Sequence, residues 1–413
     1  MRSGRMTMSS TLFESIDDVP PGVWEAACGS RTTCFTDRAF LKAVEEGLPA
    51  GARVFHVLIS DATGRPAAAA SLCVLPIDAL LLAGPRLRRV VGWCRRVIPR
   101  FGHFRLMCCG VPVSAGQSQV GFADGADRGQ VILELDRLLR SLARREKAGM
   151  IVFKEFEDDD LAATEVLRSQ GYMRGDSPPM YNMARPFRDF EGYCAALRSH
   201  YRADIRRSQR KFGQAECQVV HLRDPGEIVR LYTPEVHQLY EAVVAKSEVK
   251  LELLPIAFFH RLTERLQGRV TLTTVSRGGR IVAFNWGMAC GAEYHFLFCG
   301  IDYEENAAAD LYFNLMYHQL DLAFRSGAQV VWFGQTADAF KTRVGCAGSP
   351  RYFYARGTGP LRAWLIRRAA GLLGPPRPPL KEHDVFKALA VGGMKIRPGR
   401  AKVESDPAEG QAG

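Results

Sequence analysis

The chain has 413 residues, 47% of them hydrophobic and 24% charged, enough for two domains with full hydrophobic cores. A net charge of +11 and a pI near 9.2 favour partners that carry phosphate or carboxylate, such as a nucleotide, a nucleic acid or an anionic membrane face. The eleven cysteines form no C-x-x-C pair, and there is no Walker loop, Rossmann fingerprint or H-E-x-x-H, so neither metal nor nicotinamide chemistry is expected.

The opening residues, MRSGRMTMSS, lack the apolar core of a secretory signal, and the scattered, odd-numbered cysteines suit a reducing compartment rather than a disulfide framework. A cytoplasmic protein is expected. From Ala39 the pattern AFLKAVEEGLPAGARVFHVLIS reads as an amphipathic helix and a β-branched strand; DATGRPAAAASLCVL adds a tight turn and a second strand. The greasiest run, 67–84, is interrupted by Pro76 and Asp78, which argues against a membrane span. Between Ala79 and Ala123 lie seven arginines and no acid, interleaved with Trp93, Phe101 and Phe104. That mixture suits a lipid surface or single-stranded nucleic acid, and equally a solvated excursion. Next, RLLRSLARREKAGMIVF (137–153) is a helix stopped at Gly149 and followed by an apolar strand; a polar turn, Gly171 and the strand MYNMA (180–184) follow. GQSQVG (116–121) misses the G-x-S-x-G nucleophile elbow by one residue.

The segment RSHYRADIRRSQRKFG (198–213) holds six Lys or Arg and one acid, Asp204. Tyr193, Leu197, Tyr201 and Ile205 recur every four residues and make a buried stripe. Arg198, Arg202 and Arg206 share the other side at i, i+4, i+8, with Arg207 beside them. Guanidinium groups so spaced suit a bidentate grip on phosphate or carboxylate, against the plainer reading of a solvated basic face.

The opening pattern then returns. Residues 257–259, AFF, begin AFFHRLTERLQGRVTLTTVS, followed by RGGRIVAFNWGMAC, and YHQLDLAFRSGAQVVWF (317–333) parallels 137–153. Strands are expected near 269–276, 280–289 and 293–301, a long helix near 308–326, a strand at 329–333, a short helix near 337–344 and a strand near 351–356. The copies are offset by 218 residues at their first helices (257 − 39) and by 178 at their glycines (327 − 149), so the first carries about forty extra residues, placed near 76–125. The expected organisation is a duplicated, mixed α/β unit: one half over 1–190 with a basic insertion, another over 191–365, and a flexible Pro/Gly-rich tail over 366–413. Before that tail, GPLRAWLIRRAAGLLGPPRPP (359–379) mixes Trp364, Leu365, Leu372 and Leu373 with Arg362, Arg367 and Arg368, as either a membrane-lying or a docked helix.

Three stretches carry a family likeness. LRSHYRADIRRSQRKFG (197–213) resembles the R-x-x-I-R-R-A-x-x-x-G helix between the halves of tandem GNAT acyltransferases of the CelD-like and Fem-type (FemAB-like) groups. VVWFGQT (330–336) is similar to their helix–strand unit, and AFKTRVG (339–345) to their F-K-x-x-x-G segment. The resemblance implies that the fourth and fifth strands of the second copy splay around the pantetheine of acyl-CoA, with its pyrophosphate at the next helix N-terminus. The matching turn, GIDYEENAAADLYFN (300–314), offers the small run Asn306, Ala307, Ala308 and Ala309 for close backbone approach, but Asp302, Glu304 and Glu305 depart from the family's basic, glycine-rich pattern. It also implies that Lys341 stabilises developing negative charge and Phe340 shapes the pocket. Glu293 and His295, two apart on one strand face, are candidate general bases for an acceptor amine, against an ordinary structural histidine. Gln335, just past the strand end, is placed to hydrogen-bond donor or acceptor. The implied activity is N-acyl transfer from acyl-CoA to an amine of a sugar-nucleotide, lipid-linked glycan or amino-acid-like acceptor, in a cytoplasmic protein for which the basic, aromatic segments leave a peripheral place at the inner membrane face open. The alternatives are an aminoacyl-tRNA donor, as in Fem-type enzymes, or a non-catalytic membrane-surface scaffold.

Overall fold

Asp37 accepts hydrogen bonds from the Ala39 and Phe40 amides and so starts a ten-residue helix that buries Phe40, Leu41 and Val44. The matching helix at Ile256–Arg265 buries Phe258, Phe259 and Leu262. The two pack side by side so closely that a Cβ on Gly47 would stand 2.6 Å from the Phe258 backbone. These helices mark equivalent places in two copies of one unit. The computed structural model describes residues 8–78, 92–96, 101–113, 116–184, 187–247, 253–335, 338–368, 383–387, 390–391 and 394–395.

The first copy runs β1 (Ser9–Phe13), α1 (Val23–Cys28), α2 (Arg38–Gly47), β2 (Arg53–Ser60), β3 (Pro66–Asp78), β4 (His103–Cys109), β5 (Val120–Phe122), α3 (Arg128–Arg145), β6 (Ala148–Phe156), the short α4 (Leu161–Thr164) and α5 (Val166–Ser169), and β7 (Met173–Met183). Two helices, α6 (Phe190–Ala196) and α7 (Ser199–Gln214), lead into the second. There β8 (Gln218–Leu222), α8 (Pro225–Leu231), α9 (Pro234–Lys246) and α10 (Ile256–Arg265) precede the meander β9 (Val270–Arg277), β10 (Arg280–Cys290) and β11 (Glu293–Ile301). Then come α11 (Tyr303–Ala309), α12 (Leu311–Arg325), β12 (Val330–Gly334), α13 (Asp338–Arg343), β13 (Ala347–Gly357) and α14 (Pro360–Arg368).

All these strands join one mixed sheet, in the order β1-β2-β3-β4-β6-β13-β7-β12-β11-β10-β9-β8 with β5 on β3. The order is a palindrome of the repeat. The parallel pairs β4–β6 and β11–β12 are its matching positions. At its centre the copies exchange their last strands: β13 pairs with β6 of the first half, and β7 pairs with β12 of the second. The two exchanged strands also pair with each other, from Ala347↔Asn182 to Ala355↔Met173. A boundary near 190 therefore divides the chain in sequence but not the sheet in space.

One apolar core, containing Trp24, Phe40, Phe258 and Trp286, lies on the face covered by α1, α2 and α8–α10 and joins both halves. The opposite face has a core under α3, around Leu135 and Phe153, and another under α7 and α12, around Tyr193 and Leu315. The apolar run that begins at residue 67 is a strand buried on both faces rather than a span; its end, 79–84, lies outside the described residues. Among the described residues no helix is long and apolar enough to cross a membrane.

Four expectations change. The long helix expected at 308–326 breaks into α11 and α12 at Asp310, whose φ of 47° is left-handed. The extra residues of the first copy fall in two places, the β3–β4 connection and the 110–119 loop, and the expected insertion itself contains β4 and β5. The tail is not wholly free: Val385 is buried, and residues 383–387 lie against the start of α7, where Arg198 donates its amide to the Val385 carbonyl and pairs through its guanidinium with Asp384. Lastly, a disulfide joins Cys34 of the first half to Cys290 at the end of β10.

Candidate functional site

Strands β11 and β12 pair in parallel over only three positions, Glu293↔Val330, Tyr294↔Val331 and His295↔Trp332, and then part. Both strands bend at that level. On β11 the register with β10 shifts so that Phe298 faces Trp286 while Phe296 faces Gly287, leaving Leu297 as the extra residue of a bulge. On β12 the register with β7 shifts between Trp332 and Gly334, and Gly334 has φ 68°, a conformation that costs a side-chain-bearing residue about 1–2 kcal/mol. Two bulges on neighbouring strands open a wedge, with Phe296 and Phe333 in edge contact at its apex, ring centroids 4.4 Å apart.

In the first copy the matching strands stay paired for longer. β4 stays paired with β6 from Arg105↔Ala148 to Cys109↔Phe153, although Glu155 repeats the left-handed turn of Gly334 with φ 66°. The loop after β4 crosses towards the centre instead, where the Gly116 carbonyl accepts from the buried Arg351 guanidinium at 2.7 Å.

Lys341 stands at the mouth of the wedge. It is 4% exposed, and its Nζ donates to the carbonyls of Gly334 (2.9 Å) and Gln335 (2.7 Å), the end of β12. The Tyr181 ring centroid lies 5.4 Å away, and the lysine's charge reaches Cys299, whose thiol burial nonetheless pushes up to about 11. Phe340 fills the space beneath, against Tyr312 and Phe313 at 5.2 Å each. The Gln335 amide donates to the Pro178 carbonyl at 2.7 Å, so it braces the exchanged strand β7.

Glu293 and His295 do come together, Oε2 to Nε2 at 3.0 Å, but not at that mouth. Tyr294 and Phe296 enter the core beneath α12, so by strand alternation His295 points to the other face. There it is wholly buried, edge-on to Phe35 at 5.2 Å and stacked with Trp332 at 6.2 Å, and its Nδ1 has no hydrogen-bond partner. Burial pushes the Glu293 carboxyl up, yet the hydrogen bond and charge of His295 outweigh it and hold the group below its usual range. Glu293, His295 and Cys34 place one ligand atom each within 4.8 Å of one another, but the Cys34 sulfur is bonded to Cys290.

The run Asn306–Ala309 is helix interior rather than a phosphate-cradling turn. The Asn306 amide donates to the Asp302 carbonyl, its side chain accepts from Tyr312, and the Ala307 carbonyl accepts from Lys211. At the start of α11 the Asp302 carboxylate takes the Glu304 amide. The acids of this turn are offset by two arginines that sequence reading missed: Arg280 pairs with Asp302 at 2.9 Å, and Arg277 pairs with Glu305. Their signal was present in the SRGGRI hairpin, which sets Arg280 on the strand beside β11 and Arg277 one strand further.

The arginines of α7 do not form one grip. Arg198 holds the tail; Arg202 turns back to the Leu197 carbonyl; Arg207 pairs with Asp204 at 2.7 Å; Arg206 is exposed. Asp204 also takes Arg343 from α13 at 2.5 Å, which ties the basic helix to the Lys341 segment. Beside α7 a groove of about 590 Å³, lined by Glu191, Gln209, His318 and Arg325 among others, carries both signs of charge.

Residues 199–342 match the family model described as an acetyltransferase (GNAT) domain. Among solved structures, a tandem GNAT protein from the clavulanic acid biosynthesis pathway, determined without AcCoA, is similar over 86% of this chain and 99% of its own, with 13% identity and a TM-score of 0.53. FemX is similar over 85% and 99%, with 13% identity and a TM-score of 0.50. No curated protein sequence matches the chain. The fold is a tandem GNAT fold. The GNAT domain match runs from the start of α7 to Thr342 and so includes the wedge and Lys341. At 13% identity the neighbours speak for the fold and not for a substrate.

Proposed function

We propose that the chain is an N-acyltransferase that moves an acyl group from acyl-CoA to an amine of a sugar-nucleotide, lipid-linked glycan or amino-acid-like acceptor, working in the cytoplasm against the inner membrane face. The observation that carries this reading is the split of β11 from β12 just past His295↔Trp332, on the strands that the family resemblance expects to bracket the donor. A pantetheine arm in that gap meets the free edges of both strands, and its thioester lies at the apex beside Phe296 and Phe333. Lys341 is the cation nearest it, its Nζ on the carbonyl of Gly334, the residue after Phe333. Its two carbonyl partners fix the ammonium, so its field is preorganised for the oxyanion of the tetrahedral intermediate. Phe340 shapes the pocket wall, and Gln335 keeps β7 against the wedge.

The buried His295–Glu293 pair acts from the opposite face. In this reading it supports the apex strand and receives the acceptor's proton only if the acceptor enters past Glu293, the more exposed partner. The donor phosphates rest on Arg277 and Arg280 rather than on Asn306–Ala309.

An aminoacyl-tRNA donor is the second reading, favoured by Asp302 and Glu305, which already engage Arg277 and Arg280 and so weaken their pull on a pyrophosphate, and by the exposed Arg206, Arg207 and Arg210 of α7. Native mass spectrometry of the purified chain, with a filter-binding assay for charged tRNA, separates the two. Retained CoA without tRNA binding supports the first, and the reverse result overturns it.

A further inference from the structure

The two basic, aromatic segments that sequence reading treated separately meet at one place in the fold. Asp78, at the end of β3, accepts from Arg95 at 3.1 Å; Arg95 also donates to the Phe101 carbonyl at 2.8 Å and lies 3.3 Å from His103. These contacts hold the short helical stretch 92–95 on the end of β3 and the start of β4. From the other side, the Thr358 amide donates to the Gly149 carbonyl, and α14 turns back so that Arg362 lines the same cavity of about 520 Å³ as Asp78, His103 and Lys147.

The surface so assembled is unusual in what it exposes. Of the seven large hydrophobic side chains that stand exposed among the described residues, four are here: Trp93 (67%), Phe101, Leu361 and Trp364. Arg96, Lys147, Arg362 and Arg368 are exposed around them, and Arg368 lies over the Trp364 ring at 5.4 Å. The acids nearby are already engaged: Asp78 by Arg95, and the buried Glu146 by Arg53, Arg105 and Arg145. The described parts of the two segments, 92–96, 101–102 and 359–368, contain Arg95, Arg96, Arg362, Arg367 and Arg368 and no acid.

We propose that this surface docks on an anionic phospholipid bilayer, the tryptophans seated at the headgroup–acyl boundary and the cations on lipid phosphates. The proposal deepens the membrane-face setting of the proposed function and rests on it only for that. Amphipathic aromatic rings are stable where one end is apolar and the other wet, and each arginine near a charged leaflet adds attraction that salt screens. A protein partner would leave such a charge excess uncompensated unless it were strongly acidic. By strand direction, β11 and β12 open towards the end of the sheet at which β4 and β6 start, while the register sets Gly334 level with Tyr181 and so beyond the Phe156 end of β6.

The test is co-sedimentation of the full chain with vesicles of phosphatidylcholine plus phosphatidylglycerol, against phosphatidylcholine alone. Sedimentation with the anionic vesicles only, reversed by salt, is the expected result. Trp93→Ser with Trp364→Ser, and separately Arg96→Glu with Arg368→Glu, should each weaken partitioning at least about tenfold. All four positions are exposed, so the melting temperature should stay within the scatter of the parent, and CoA binding by calorimetry should be unchanged. Equal binding to neutral vesicles, no binding to either, or variants that sediment like the parent would overturn the docking surface. So would binding of single-stranded RNA lost in the same variants without vesicle sedimentation. CoA binding without vesicle binding removes this surface and leaves the acyltransferase, whereas vesicle binding with no donor bound does the reverse.

Discussion

Lys341 is the residue where structure and chemistry are hardest to separate. Its ammonium satisfies two carbonyls at the end of β12, and a buried carbonyl left without a donor costs about 1–3 kcal/mol. Lys341→Met keeps the stem and removes the charge. Turnover should fall by about 10²-fold or more if the cation stabilises the oxyanion, with a melting shift worth no more than those lost bonds. A matching loss of stability with full turnover per folded molecule would make the lysine purely structural. A second residue-scale consequence concerns acid. Glu45, 11% exposed, accepts from His56 at 2.7 Å and from the Ile16 amide at 2.6 Å. Burial alone would push its carboxyl up, but the His56 and Ile16 bonds hold it down at about 2. A depressed carboxylate adds stability above its unfolded value near 4.5 and loses it as pH falls towards 2, on the order of 3 kcal/mol here. Urea midpoints measured across that window should drop more steeply for the parent than for Glu45→Gln; parallel curves would refute the assignment.

At the scale of elements, the wedge depends on backbone rather than on a diagnostic side chain. Gly334 tolerates φ 68° on the strand that must leave β11, and Leu297 supplies the matching extra residue. Gly334→Val should therefore lower CoA affinity more than it lowers the melting temperature, because a β-branched residue pulls the strand towards regular pairing. Calorimetric titration of folded variant with CoA checks this, and unchanged affinity would show that the bend survives without the glycine. These bends also show where sequence legibility stops. Hydrophobic periodicity and the glycine stops placed β9 to β13 within a few residues, since each strand buries its own alternating set. The break at Asp310, the bulge at Leu297 and the pairing of Arg277 and Arg280 with the acidic turn arise between elements, from register and from side chains distant in the chain. Likewise the i, i+2 spacing of Glu293 and His295 sets them on one face of β11, where they meet at 3.0 Å. Which face they occupy depended on Phe35, from the other half, and no local pattern carries that.

For the whole molecule, the duplication was legible from repeated motifs, whereas the exchange of β7 and β13 was not, because both exchanged strands keep the pattern they would have in an unexchanged copy. The exchange sets how the protein should fold. Without the second half, β6 keeps β4 but loses β13, and β7 loses both its neighbours, β13 and β12; without β7, the second half loses the partner that holds β12 at the wedge. The shared core around Trp24, Phe258 and Trp286 would open as well, and each fully buried large apolar side chain contributes about 1.5–3 kcal/mol. Neither 1–190 nor 191–413 should then give a cooperative melt alone, while the two expressed together should co-purify and recover the parent's CoA binding. The Cys34–Cys290 bond adds a covalent link across the same boundary, which the co-expressed pieces keep only under oxidising conditions. If the second piece melts cooperatively and binds CoA unaided, the central strands are not shared in solution, and the pairing of β7 with β12 loses its place in shaping the wedge.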